Sequence, residues 1–159
     1  MEIINGDVLS TTCIYIAHQC NAMGKMNSGV AKQIREKYPE VFERYKEFLE
    51  VNEFLGGEIL GTYVSVQCSD GHIILNIIGQ YGYGYDGHQY TNYNALRRGF
   101  VSAIMNIRAA DHIPFDCQFC IALPYCIGSD RGGGDWNIVK QILEDIEKKQ
   151  NVLFLAYKL

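Results

Sequence analysis

The sequence predicts an α/β fold of three layers, α/β/α, around a central six-stranded mixed, mostly parallel sheet. Three observations carry that reading. Short apolar runs with strand character alternate along the chain with longer segments of helical periodicity. One pair of runs is joined by a turn signal, Ser69-Asp70-Gly71. Two of the strand-to-helix junctions are rich in glycine, at the carboxyl ends of strands where such sheets bind ligands.

Glu2 to Asn5 reads as a first short strand and Cys13 to Gln19 as a second, with the first strands expected to be antiparallel. Ser28 is a good N-cap, because its hydroxyl can accept from an unpaired first-turn N–H. Val30, Ala31, Ile34 and Tyr38 then recur on one helical face, with Lys32, Arg35, Glu36 and Lys37 elsewhere. Pro39 interrupts this helix and begins the next, which carries Val41, Phe42, Tyr45 and Phe48. Thr62 to Gln67 and His72 to Gly79 read as a paired hairpin. Tyr93, Leu96, Phe100, Ile104 and Ile107 mark a long amphipathic helix. Phe119 to Leu123 is a buried strand, Ile138 to Ile146 the last helix, and Val152 to Tyr157 the final strand.

The 159 residues fit one domain, 1–159, with no internal repeat or linker. Nearly half are hydrophobic, 48%, enough for one sizeable core. No apolar run approaches the ~20 residues that span a bilayer. Met1 to Asp7 lacks a basic region followed by an apolar block, so a cytoplasmic chain with no membrane partner is expected. The net charge of −4 argues against a broad nucleic-acid surface, which needs clustered cations. A small anionic ligand stays allowed, since backbone N–H groups at helix starts can hold it. The six cysteines, at 13, 20, 68, 117, 120 and 126, read as buried thiols rather than disulfides. Cys117 and Cys120 form a lone CxxC, with no second pair for zinc, so no metal is expected.

The first glycine-containing loop runs from His18 through Gln19, Cys20, Asn21 and Gly24 to Ser28, Gly29, Val30 and Ala31. It leaves a buried strand and enters a helix, whose first amides point outward with the positive end of the dipole. The second runs Ile127, Gly128, Ser129, Asp130, Arg131, Gly132, Gly133, Gly134, Asp135 and Trp136, again from strand to helix. Three consecutive glycines carry a high entropic cost, which is explicable if the loop wraps something closely in a nest of N–H groups. Either loop alone is also explicable as a turn needing positive φ. Neither matches a P-loop or a GxGxxG motif.

With Asn5-Gly6-Asp7-Val8 at the start and Pro124 before the second loop, these segments resemble the macrodomain family, over nearly the whole chain. The sequence is most similar to the branch that includes terminal ADP-ribose glycohydrolases, antitoxins that remove ADP-ribose from DNA, and fungal ADP-ribose 1''-phosphate phosphatases. The resemblance implies ADP-ribose or a derivative as partner and no cofactor. It implies that Asp7, beside Val8, accepts from the adenine amino group, and that Asn21 faces the distal ribose. It implies too that Ser28, Gly29 and Val30, with Gly128, Ser129, Asp130, Arg131, Gly132, Gly133 and Gly134, surround the diphosphate, and that Tyr157 flanks adenine. Read from their neighbours alone, Asp7 is a cap, Asn21 a turn residue and His18 a hydrogen-bonded core histidine. The tyrosine-rich stretch Gln80 to Tyr93 is either a rim over the distal ribose or a pliable surface loop.

The glycohydrolase pattern includes a lysine nucleophile just before the segment matching Tyr93 to Leu96. This chain has no lysine between Lys46 and Lys140, so covalent lysine chemistry is disfavoured. The phosphatase branch has a histidine matched by His18. The expected activity is slow, metal-free hydrolysis of ADP-ribose 1''-phosphate, with catalytic His18, Asn21 and Asp130: the histidine meets the phosphate or leaving group, and Asp130 orients water. An ADP-ribosyl or O-acetyl-ADP-ribose hydrolase and a non-catalytic ADP-ribose-binding module are the alternatives. A monomer is expected.

Overall fold

Six strands form a single sheet in the computed structural model, which describes residues 1–56 and 58–159. They are β1 (Glu2–Asn5), β2 (Tyr15–Asn21), β3 (Tyr63–Gln67), β4 (Ile73–Gln80), β5 (Phe119–Pro124) and β6 (Val152–Lys158). Four helices accompany them: α1 (Gly29–Lys37), α2 (Pro39–Leu55), α3 (Tyr93–Ala110) and α4 (Trp136–Gln150). Strand order is β1-β6-β5-β2-β4-β3. The ladders are parallel except β3–β4, the hairpin that Ser69-Asp70-Gly71 turns.

Two expectations shift. The first strands are not antiparallel: β1 lies parallel beside β6 at the edge, Glu2 opposite Leu155. A short 3₁₀ turn, Val8–Ser10, starts a crossover that carries the chain past β6 and β5 into the middle of the sheet, and such a connection delivers a parallel strand. The second strand runs two residues later than its apolar pattern suggested. Ile14 is 56% exposed, while Cys20 and Asn21 continue the ladder with Ile78 and Gln80.

Strand alternation divides the core. Ala17, Leu75, Ile77 and Leu123 face α3 and α4, where Phe100 and Phe154 pack edge to face at 5.3 Å. Ile16, Cys20, Ile74 and Ile78 face α1 and α2, against Ile34, Val41 and Tyr45. The sheet is therefore buried on both faces, the arrangement in which parallel strands read as continuous apolar runs.

The reading of all six cysteines as free thiols is corrected at one pair. Cys13 and Cys120 form a disulfide, with Cα atoms 6.1 Å apart. Parallel pairing of β2 with β5 puts Tyr15 opposite Ile121, which brings the residues just before them together across a separation of 107 in sequence. Cys20, Cys68, Cys117 and Cys126 are free, and the first two are buried.

Candidate ligand cleft

The carboxyl ends of β2, β4 and β5 open into a cleft of about 380 Å³. One wall is the loop from Asn21 to the start of α1. A second is Ile127 to Gly132, and the rim is Gln80 with Tyr83, Gly84 and Tyr85. Both sequence-predicted loops thus face the same space, at the sheet edge where α/β folds hold ligands.

The start of α1 is open. Ser28 has extended backbone angles, as an N-cap should, but its side chain makes no capping bond. The first amide of this helix to find a partner is Lys32 N, which donates to the Ser28 carbonyl at 3.2 Å. The N–H groups of Gly29, Val30 and Ala31 have no acceptor among the described residues. By contrast, α3 and α4 are capped by Asn92 and Asp135. An uncapped first turn aimed at a cleft presents donors and the positive end of the helix dipole together. Gly29 has φ +59, a left-handed angle that a side chain would strain, and it turns these amides into the cleft.

The second loop begins at Cys126, itself left-handed at φ +61, whose carbonyl accepts from Ser129 N at 2.9 Å and Asp130 N at 3.3 Å. The amides of Arg131 and Gly132 have no partner among the described residues. What the three glycines wrap is partly the protein itself. The Gly132 carbonyl accepts from Tyr90 N at 2.8 Å and Thr91 N at 3.0 Å. A Cβ at Gly132 would lie 2.7 Å from the Gly128 carbonyl oxygen, and one at Gly133 would strike the His88 carbonyl. The glycines let this loop lie against the segment from His88 to Thr91.

Beneath that junction is a polar cluster that sequence reasoning missed. Gln19 Nε2 donates to Gln80 Oε1 at 2.6 Å and to Thr91 Oγ1 at 2.8 Å, and Thr91 Oγ1 donates to the Gly128 carbonyl at 2.6 Å. The ends of β2 and β4 and the segment before α3 are joined by one amide, and the Thr91 hydroxyl carries the link on to the second loop. Gln19 lies between His18 and Asn21, and strand alternation turns it away from His18, toward Gln80 and Thr91.

His18 is 2% exposed and points into the α1–α2 side of the sheet. Its ring Nε2 lies 2.7 Å from Asn76 Oδ1, and the Asn76 amide is oriented by donation to the Val64 carbonyl at 2.9 Å. Nε2 therefore carries the proton and donates. Burial lowers the His18 pKa to about 4, although the bond to Asn76 works in the other direction. The ring is neutral near pH 7 and hydrogen-bonded within the core, and it also borders the cleft.

Asn21 is 7% exposed, at the cleft wall, with both ends of its amide in use. Oδ1 accepts from Met23 N at 3.0 Å and Lys25 N at 3.2 Å, and Nδ2 donates to the Lys25 carbonyl at 2.8 Å. It shapes the first loop. Asp130 and Arg131 are exposed on the cleft wall, and Lys25 is the other cation there. Ser129 turns away from the cleft, its Oγ buried without a partner among the described residues.

Asp7, Val8 and Tyr157 lie outside the cleft lining, at the β1–β6 edge. Asp7 Oδ1 accepts from Leu9 N at 2.9 Å, the capping role read from its neighbours, and Val8 is buried. The Tyr157 hydroxyl donates to Thr11 Oγ1 at 2.9 Å, and its ring stands beside Gly6, which precedes Asp7. Among the described residues no group of three His, Cys, Asp or Glu is placed to hold a metal ion. No described helix is long and apolar enough to cross a membrane.

No family model and no curated protein matches the sequence. Solved structures do match in fold. A protein of unknown function from Bacteroides thetaiotaomicron is 22% identical, with a TM-score of 0.80 over 99% of this chain and 97% of its own. The DarG macrodomain of Mycobacterium tuberculosis is 21% identical, with a TM-score of 0.77 over 99% of this chain and 97% of its own. Thermosipho africanus DarTG, solved in complex with ADP-ribose, is 15% identical, with a TM-score of 0.74 over 98% of this chain and 41% of its own.

Proposed function

From the macrodomain fold that this chain carries, we propose that its cleft binds ADP-ribose or a derivative with the diphosphate between the two glycine loops. One observation carries the reading: two rows of main-chain N–H groups, Gly29 to Ala31 and Arg131 to Gly132, lack partners and face one space. Such donors bind an anion at no cost in side-chain ordering, which suits a chain of net charge −4. Adenine would lie toward β1, with Asp7 Oδ2 free to accept from its amino group and the Tyr157 ring beside it. The distal ribose would extend along Asn21 toward the tyrosine rim. That a solved protein of this fold holds ADP-ribose supports the same reading.

The turnover we propose is hydrolysis of ADP-ribose 1''-phosphate. Water, deprotonated in attack by exposed Asp130, adds to the terminal phosphorus. The bond to the anomeric oxygen breaks, and that oxygen takes a proton from solvent, giving ADP-ribose and phosphate. His18 acts from behind the strand as a strut, and Asn21 by shaping the loop. The saturation of both side chains favours a second reading, a binding module without turnover. A cytoplasmic monomer remains part of this proposal.

Calorimetry with ADP-ribose tests binding, and phosphate release from ADP-ribose 1''-phosphate tests turnover. Asp130→Asn is expected to lower the release rate at least about a hundredfold, the scale of a lost general base, with affinity for ADP-ribose unchanged. Binding with no release by the wild type would leave the module. No heat on titration would remove the whole proposal.

A further inference from the structure

Arg131 leaves the second loop and reaches across the cleft to the first. Its Cδ and Nε lie 3.6 Å from where a Cβ on Gly29 would stand, directly beside the open start of α1. Its guanidinium lies over the ring of Tyr85, with Cζ 5.0 Å from the centroid. Among the described residues it has neither a carboxylate partner nor a hydrogen bond. Arg97 and Arg98, on α3 and outside the cleft lining, pair with Asp145 and Glu58 instead.

An arginine without a salt bridge ordinarily extends into water. This one is held by an aromatic face, which leaves its five N–H donors unspent. It is parked above the same gap that the unpartnered amides of Gly29 to Ala31 border from below. Tyr85 is itself 72% exposed, on a segment carrying Gly84 and Gly87. The stack is therefore a shallow minimum, and a bidentate phosphate contact is the stronger interaction for a guanidinium.

We propose that Arg131 is a specificity-determining clamp for the diphosphate: Tyr85 holds it over the cleft, and an incoming diphosphate draws it down to close the amide cradle from above. This rests on the reading of the cleft as an ADP-ribose site and adds to it a side-chain cation as selector. The ligand class favoured is a dinucleotide-like sugar diphosphate over an uncharged nucleoside of the same base and ribose.

The test is calorimetric titration with ADP-ribose at low and high sodium chloride, for wild type, Arg131→Ala, Arg131→Lys, Tyr85→Ala and the Arg131→Ala/Tyr85→Ala pair. Unchanged thermal melting shows that each variant folds, as expected for exposed side chains. The expected result is at least about tenfold weaker binding for Arg131→Ala at low salt, with a smaller loss of affinity on adding salt than wild type shows. Arg131→Lys should keep the salt dependence while binding more weakly. Tyr85→Ala removes a stack that the arginine leaves on binding, so it should strengthen binding up to severalfold alone and have no further effect in the pair, because it acts through Arg131. Equal affinity and equal salt dependence for wild type and Arg131→Ala would overturn the clamp and leave the ADP-ribose reading standing. Additive effects in the pair would overturn the parking role of Tyr85. No binding by the wild type would remove the ADP-ribose reading itself.

Discussion

His18 shows how one residue can match a motif and serve another end. Its ring is neutral because burial lowers its pKa to about 4, against an ordinary 6.5. The unfolded chain therefore binds a proton on this ring at a pH where the folded chain does not. The stability tied to neutral His18 is fully present above pH 6.5 and is lost as pH falls toward 4. Over that window the difference corresponds to about 3 kcal/mol. Urea melts from pH 7 to pH 4 should show this loss in the wild type and a shallower slope in His18→Gln. Equal slopes would mean that the ring titrates normally. Sequence parity with Ile16 pointed correctly to the core. The partner that settles the tautomer, Asn76, is 58 residues away and could not be read from the motif. Gln19 was passed over for a similar reason: its partners Gln80 and Thr91 meet it only once β2 and β4 pair.

At the scale of elements, the strand-helix alternation was legible because the central strands β2 and β4 are buried on both faces and keep continuous apolar runs. The hairpin was legible from its turn. The direction of β1 was not, since its partner is the last strand in the chain. The glycine loops were legible as loops, and their proximity follows from the neighbouring places of β2 and β5 in the sheet. Their glycine content was only half explained. Gly132 and Gly133 pack on the His88 to Thr91 segment, a tertiary contact. Gly132→Ala should cost about 1–3 kcal/mol by overpacking against the Gly128 carbonyl and the Gln19 amide. It should also weaken ADP-ribose binding by displacing the second loop. A denaturant melt and a titration on the same sample check both, and an unchanged melt would show that the loop has room to spare.

For the whole molecule, the Cys13–Cys120 bond closes a loop of sequence separation 107, which under the chain-entropy account adds up to about 4–5 kcal/mol. Thiol titration of the denatured, unreduced protein should find four free cysteines, and reduction should lower the melting temperature. Six titratable thiols would show the pair to be unlinked in solution. Overall charge is mildly negative, so under the proposed function attraction of a diphosphate would come from local donors: open amides of α1, those of the second loop, and the neighbouring cations Lys25 and Arg131. Val30 lies in the first turn of α1, where proline is tolerated and removes one N–H. Calorimetric titration of ADP-ribose into wild type and Val30→Pro therefore tests the amide cradle most directly. Affinity should fall at least about tenfold, the scale of a lost charge-assisted hydrogen bond, with little change in melting temperature. Equal affinity in the two proteins would contradict it.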